Sequence, residues 1–285
     1  MKALYDVAAP AKLNLFLHIT GRRADGYHLI QSVFMLIDWC DTLNFELRGD
    51  GLITREDLGY ALPDNDLTVR AARALQAATR TSVGAHIGVK KSIPAQAGMG
   101  GGSSDAASCL LALNRLWGLN LPLSALLPIG LQLGADVPFF LHGRNAWVEG
   151  IGEKITPVEL PSERFVVVKP SEGLETRAIF TAADLKRDSE TAIISGFAAN
   201  SSAAKFSFGR NDLQPVAQRL CSGVTQALLW LESRGMQGRM TGSGSAVYAQ
   251  LLHEADLGEV PDNFQVRQCN NLNVHPLLGW AISDD

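Results

Sequence analysis

From Lys12 to Ile19 the chain alternates strictly, with Leu13, Leu15, Leu17 and Ile19 recurring at every second position. A period of two predicts a half-buried strand, and it puts Lys12 and Asn14 together on the face opposite the leucines. Residues 33–37 and 42–47 read as two further strands, the second also alternating. In residues 66–78 the period changes: Leu67, Ala71, Ala74, Leu75 and Ala78 fall at helical spacing. Residues 83–91 alternate again as a strand, and residues 103–117 read as a helix with Ser103 or Ser104 as its N-cap. A second helix is expected over 123–133, starting near Pro128 or irregular in its first turn, and ended by Gly134. The pattern restarts beyond Pro157, with a buried strand at 165–169, one long helix at 213–233 and a strand at 246–252. Residues 190–207, rich in Ser and Ala with little periodicity, read as a long or mobile connection. Two α+β lobes, residues 1–155 and 156–285, account for this order most simply.

Composition narrows the class. With 285 residues, 46% hydrophobic and 19% charged, the chain has enough apolar material for one large core or two smaller ones. The net charge of -4 and the absence of long like-charge runs speak against a nucleic-acid partner. Cys40, Cys109, Cys221 and Cys269 form no paired motif and are expected to be reduced thiols. No apolar stretch approaches the roughly 20 residues of a membrane helix, and the N-terminus lacks the apolar core of a secretory signal. A soluble cytoplasmic protein that meets small molecules is expected, with no membrane and no obligatory protein partner.

The densest chemical signal is Pro94-Ala95-Gln96-Ala97-Gly98-Met99-Gly100-Gly101-Gly102-Ser103-Ser104. It joins a predicted strand to a predicted helix, where glycines let an anion approach the main chain and the helix start adds unpaired N–H groups. It reads as a phosphate cradle, the alternative being a flexible surface turn with a helix cap, but one of an unusual kind. No lysine follows its last glycine, so the Walker pattern fails, and Ser103 stands where the dinucleotide pattern needs a glycine.

Three further positions invite chemistry. Asp136 lies in the apolar run Leu133-Gly134-Ala135-Asp136-Val137-Pro138-Phe139-Phe140, where a carboxylate needs a partner. It serves either as a helix-terminal cap or ion-pair member, or as a base. Lys12 is its natural partner, or else a solvated strand residue. A second small-residue turn, Thr241-Gly242-Ser243-Gly244-Ser245, is either a plain connection or a place of close substrate approach.

The glycine loop resembles the P-x-x-x-G-L-G-S-S-A-A signature of the GHMP kinases, which include galactokinase, homoserine kinase and mevalonate kinase, with Met99 at the leucine. The run Gly100-Gly101-Gly102-Ser103-Ser104 is similar to one branch, which acts on a cytidine diphosphate ester of methylerythritol in the non-mevalonate route to isoprenoid precursors. Residues 9–15, Arg23-Ala24-Asp25-Gly26-Tyr27-His28, the Asp136 segment and the 240–245 turn resemble that branch in the same order. The resemblance implies a two-lobed kinase with the active site in the cleft between lobes, using ATP and Mg2+. It implies that residues 94–104 bind ATP, that Lys12 and Asp136 are catalytic, and that Asp136 is the base. It also implies that Asn14, Tyr27, His28, Phe180, Thr241, Gly242 and Ser243 bind the acceptor, with Tyr27 and Phe180 on either side of the cytosine ring. Ser104 is the expected magnesium ligand.

Overall fold

Two very long strands form the spine of the molecule: β1 (Ala3–Arg22) and β2 (His28–Arg48), paired antiparallel along almost their whole length. The computed structural model describes residues 1–251 and 257–282. After the spine come β3 (Ile53–Asp57), α1 (Leu67–Thr79), β4 (Gly84–Lys90), α2 (Gly101–Leu116), α3 (Leu123–Leu133) and α4 (Val137–His142). They are followed by β5 (Ala146–Gly150), β6 (Lys154–Pro157), β7 (Arg164–Pro170), α5 (Thr176–Phe180), α6 (Ile194–Ala199) and α7 (Ser202–Ser207). The chain closes with α8 (Gln214–Leu220), α9 (Ser222–Glu232), β8 (Arg239–Met240), β9 (Val247–Gln250) and β10 (Phe264–Leu272).

The two strands expected at 33–37 and 42–47 are one. Between them the alternation never stops: Trp39 and Asp41 occupy buried slots while Asp38 and Cys40 face outward. Asp41 lies buried between the two expected segments, where Lys91 and the amides of Ser92 and Ile93 satisfy it inside the protein. β2 then serves as a hub, bonded to β1, β4, β5 and β10. α2 lies over the spine, with α1, α3 and α4 packed around it.

Bulges in β1 matter for the site. The ladder to β2 is interrupted between Pro10 and Lys12 and again between Asn14 and Leu17. An interrupted ladder frees amides for other partners. The Lys12 amide donates to the Met99 carbonyl (3.0 Å), and the Asn14 amide to Thr241 Oγ1 (2.9 Å).

Several expected boundaries move. The helix expected at 213–233 breaks at Cys221, whose backbone is extended. Glu172 receives the Cys221 thiol and the Gly223 amide there, starting α9 afresh. α2 starts at Gly101, so Ser103 and Ser104 lie inside its first turn and do not cap it. α3 runs through Pro128 from a start at Leu123. Pro138 opens a helix, α4, instead of merely ending one, as proline does when its missing N–H falls among the unpaired amides of a first turn. The connection expected at 190–207 carries α6 and α7, anchored by buried Phe197 and Phe206. In the strand expected at 246–252, residues 247–250 are β9, and Leu252 lies outside the described residues.

Candidate active site

The loop 94–104 and the 241–245 turn are built against each other. Ser245 N donates to Gln96 O (3.0 Å) and Ala246 N to Ala97 O (3.3 Å). Gly98 has φ 72°, and a Cβ there would sit 2.3 Å from Thr241 O, so only glycine fits this contact. Gly100 has φ 71° and caps α2 with no side chain involved. Beyond it, Gly101 and Gly102 line the cleft, and the first amides of a helix have no partner within it. Ser103 and Ser104 do not line the cleft; Ser104 is fully buried, with its Oγ unpartnered.

Lys12 and Asp136 meet at the cleft floor. Lys12 is 4% exposed; its Nζ stands 2.5 Å from Asn14 Oδ1, 3.7 Å from Asp136 Oδ2 and 4.7 Å above the Phe34 ring. Burial lowers the Lys12 pKa, and Asp136 opposes that shift. Asp136 holds the N-cap position of α4 but makes no capping hydrogen bond. Its side chain is 31% exposed, so its carboxylate remains accessible from the cleft. Asn14 is fixed from both sides, its amide held by Thr241 and its Nδ2 donating to Ser32 Oγ (2.9 Å). Thr241 itself is completely buried and reaches the cleft only through Asn14, whereas Gly242 and Ser243 line it.

Tyr27, His28 and Phe180 gather at one end. The turn between β1 and β2 closes with Arg23 N to Tyr27 O (2.8 Å) and leaves Tyr27 59% exposed at the rim. The His28 and Phe180 rings lie 5.1 Å apart at 41°. Burial, Arg187 and Arg22 together lower the His28 pKa. The short helix α5, which carries Phe180, is tied to the second turn by Thr176 Oγ1 and Ser243 Oγ (2.9 Å).

Sequence reasoning missed the other end. There Tyr60, Leu62, Pro63, Leu67 and Ile93 make an apolar wall beside Gly101 and Gly102. Lys91 joins it, bonded to Asp41 and to Asp105 (2.5 Å), and burial raises the Asp105 pKa. The signal was a Lys90-Lys91 pair at the end of a predicted strand just before the loop, with no hint of its buried acidic partners. Arg187, behind His28, was missed for the same reason.

Residues 94–102, Lys12, Asn14, Asp136, Tyr27, His28, Phe180 and the apolar wall line one cleft of about 1520 Å³. That exceeds the roughly 300–1,000 Å³ of a single drug-sized pocket and suits two phosphate-bearing ligands together. Among the described residues no group of three His, Cys, Asp or Glu side chains is arranged to hold a metal ion. Nor is any described helix long and apolar enough to cross a membrane.

Comparison with known proteins agrees with this geometry. The chain matches the GHMP kinases N terminal domain over residues 66–144 and the GHMP kinases C terminal domain over 191–267. It is 73% identical to a 4-diphosphocytidyl-2-C-methyl-D-erythritol kinase of Albidiferax ferrireducens, over 100% of this chain and 98% of that one. It is 67% identical to a protein of the same name from Variovorax paradoxus, over 99% and 100% of the two chains. A crystal structure of 4-(cytidine 5'-diphospho)-2C-methyl-D-erythritol kinase superposes with TM-score 0.77 at 29% identity, over 93% of this chain and 98% of that one. A homoserine kinase from Cytophaga hutchinsonii shares the fold alone, with TM-score 0.72 at 14% identity over 96% of both chains.

Proposed function

The chain belongs to the GHMP kinases, among the 4-diphosphocytidyl-2-C-methyl-D-erythritol kinases, and from that premise we propose how its cleft moves a phosphoryl group. The γ-phosphoryl group of ATP passes to the 2-hydroxyl of 4-diphosphocytidyl-2-C-methyl-D-erythritol, giving the 2-phosphate and ADP. The observation that carries the assignment of roles is convergence on one cavity. Along a single cleft stand an apolar wall, the glycine loop, the Lys12–Asp136 pair and the Tyr27–His28–Phe180 group.

Phosphoryl transfer asks mainly for in-line positioning and for charge to be met where it develops. Residues 94–104 hold the triphosphate, with the first-turn amides of α2 directed at it. Asp136 accepts the proton of the 2-hydroxyl, its carboxylate not being engaged in capping. Lys12 Nζ orients Asp136 and meets negative charge on the moving group. Tyr27 and Phe180 cover the two faces of the cytosine and His28 bonds its edge, while Asn14, Gly242 and Ser243 line the space for the methylerythritol. Thr241 acts by holding Asn14. Magnesium bound with the phosphates would offset their charge, and Ser104 Oγ, buried behind the glycine loop but unpartnered in the first turn of α2, would be the protein oxygen to hold it. The cleft lies between an N-terminal nucleotide-binding lobe, residues 1–155, and a C-terminal lobe, residues 156–285. Cytoplasmic location fits substrates of this charge.

An ADP-release assay across 4-diphosphocytidyl-2-C-methyl-D-erythritol, homoserine and mevalonate tests the assignment. Turnover is expected with the first alone. Turnover of homoserine or mevalonate without the cytidine substrate would sink it.

A further inference from the structure

Arg187 does not line the cleft, yet it controls a residue that does. Its Nε donates to His28 Nε2 at 3.0 Å. Its Nη1 donates to Leu185 O (3.0 Å), and its Nη2 to Phe180 O (3.1 Å) and Ala182 O (2.7 Å). We propose that Arg187 is a positioning residue that fixes His28 as the Nδ1–H tautomer and thereby makes the base site select cytosine over uracil. The proposal rests on the placement of the base against Tyr27, His28 and Phe180 given above.

The tautomer follows from the donor inventory. A guanidinium has five N–H groups, no acceptor, and no accessible neutral form. An atom that bonds to its Nε at hydrogen-bond distance must therefore bring a lone pair. His28 Nε2 is then unprotonated, and the ring's one proton sits on Nδ1. Among the described residues Nδ1 bonds to no protein atom, while the ring itself lines the cleft. The same guanidinium holds the carbonyls at the end of α5, so it also seats the Phe180 ring beside His28.

A fixed N–H donor distinguishes the two pyrimidines. Cytosine offers lone pairs at N3 and O2 along the edge next to its amino group. Uracil carries a hydrogen on N3, so a fixed donor there meets another donor. Sites built around one hydrogen-bonding pattern reject the analogue that leaves buried groups unpaired. The opposite tautomer would present a lone pair and reverse the preference.

Selective nitrogen-15 labelling of histidine in the substrate-free enzyme reads the tautomer directly. His28→Gln assigns the signal among the six histidines. Nδ1 is expected to be protonated and Nε2 not. In Arg187→Met the ring should populate both tautomers, and the cytidine-over-uridine preference in KM should fall about tenfold while kcat for the cytidine substrate changes less than about threefold. Arg187→Lys should keep most of the preference. A wild-type ring protonated on Nε2 overturns the proposal, as does an Arg187→Met enzyme in which tautomer or discrimination stays unchanged. Should that variant not fold, the wild-type spectrum decides alone. His28→Ala separates the two levels: normal cytidine diphosphate binding there removes the base from His28, and both readings fall. Weakened binding there, with discrimination unaffected in Arg187→Met, removes only the role of Arg187.

Discussion

Asp136 begins α4 without capping it, and that unused capacity supports its proposed role as a base. A carboxylate at a helix start normally spends an oxygen on the unpaired amides. Here the charged partner is Lys12 Nζ at 3.7 Å, and Lys12 is held by Asn14 and the Phe34 ring. On the proposed mechanism, Asp136→Asn preserves shape and removes the base. It is expected to lower kcat by about 10²–10⁴-fold, the range for losing a positioned general base, with ATP affinity changed less than about twofold. Titration calorimetry with ATP and single-turnover ADP release measure the two halves separately. Turnover within tenfold of the wild type, roughly 1.4 kcal/mol of barrier, would take the proton transfer away from Asp136.

Between elements, the loop and the second turn behave as one unit because Gly98 lets their backbones touch. Gly98→Ala forces a Cβ to 2.3 Å from Thr241 O at a φ of 72°. Strain of this kind costs on the order of 1–3 kcal/mol. The expected result is a lower melting temperature together with a KM for ATP that rises more than KM for the acceptor, since the loop is displaced and the base site is not. An unchanged melting temperature would show that the two turns do not depend on each other. The sequence showed where these elements lie, because glycine density and period are local signals. It did not show what joins them. Residues 33–37 and 42–47 read as separate strands, because the partner that lets Asp41 stay buried between them, Lys91, is 50 positions away. Cys221 looked helical because Glu172, which restarts the helix, is 49 positions away. That Lys12, Asp136, Tyr27 and His28 belong together was legible through short motifs, and all four line the one cleft; the pairings of Arg187, Lys91 and Asp105 were not legible, since they lie across the fold.

Across the whole molecule, the C-terminal segment stitches the halves together and supports the site from behind. β10 pairs with β7 and then, at Asn271 and Leu272, with β2. Past it, Val274 bridges Arg144, and the His275 amide donates to Gly143 O (2.8 Å), which closes the helix that Asp136 opens. His275 is 1% exposed; its Nδ1 accepts from the Leu277 amide (3.0 Å), and its Nε2 is buried without a partner. Burial lowers its pKa from 6.5 to about 4. The unfolded chain therefore binds a proton that the folded chain refuses, so stability is lost as pH falls from about 6.5 towards 4. At pH 5 this side chain alone costs about 2 kcal/mol relative to pH 7.5, at 1.36 kcal/mol per pKa unit. His275→Asn keeps an acceptor for Leu277 N and removes the titration. Urea unfolding of the two proteins at pH 7.5 and pH 5 should show their stability difference shifting by about 2 kcal/mol in favour of the variant at the lower pH. A shift below about 0.5 kcal/mol, within extrapolation error, would mean that acid enters the molecule elsewhere.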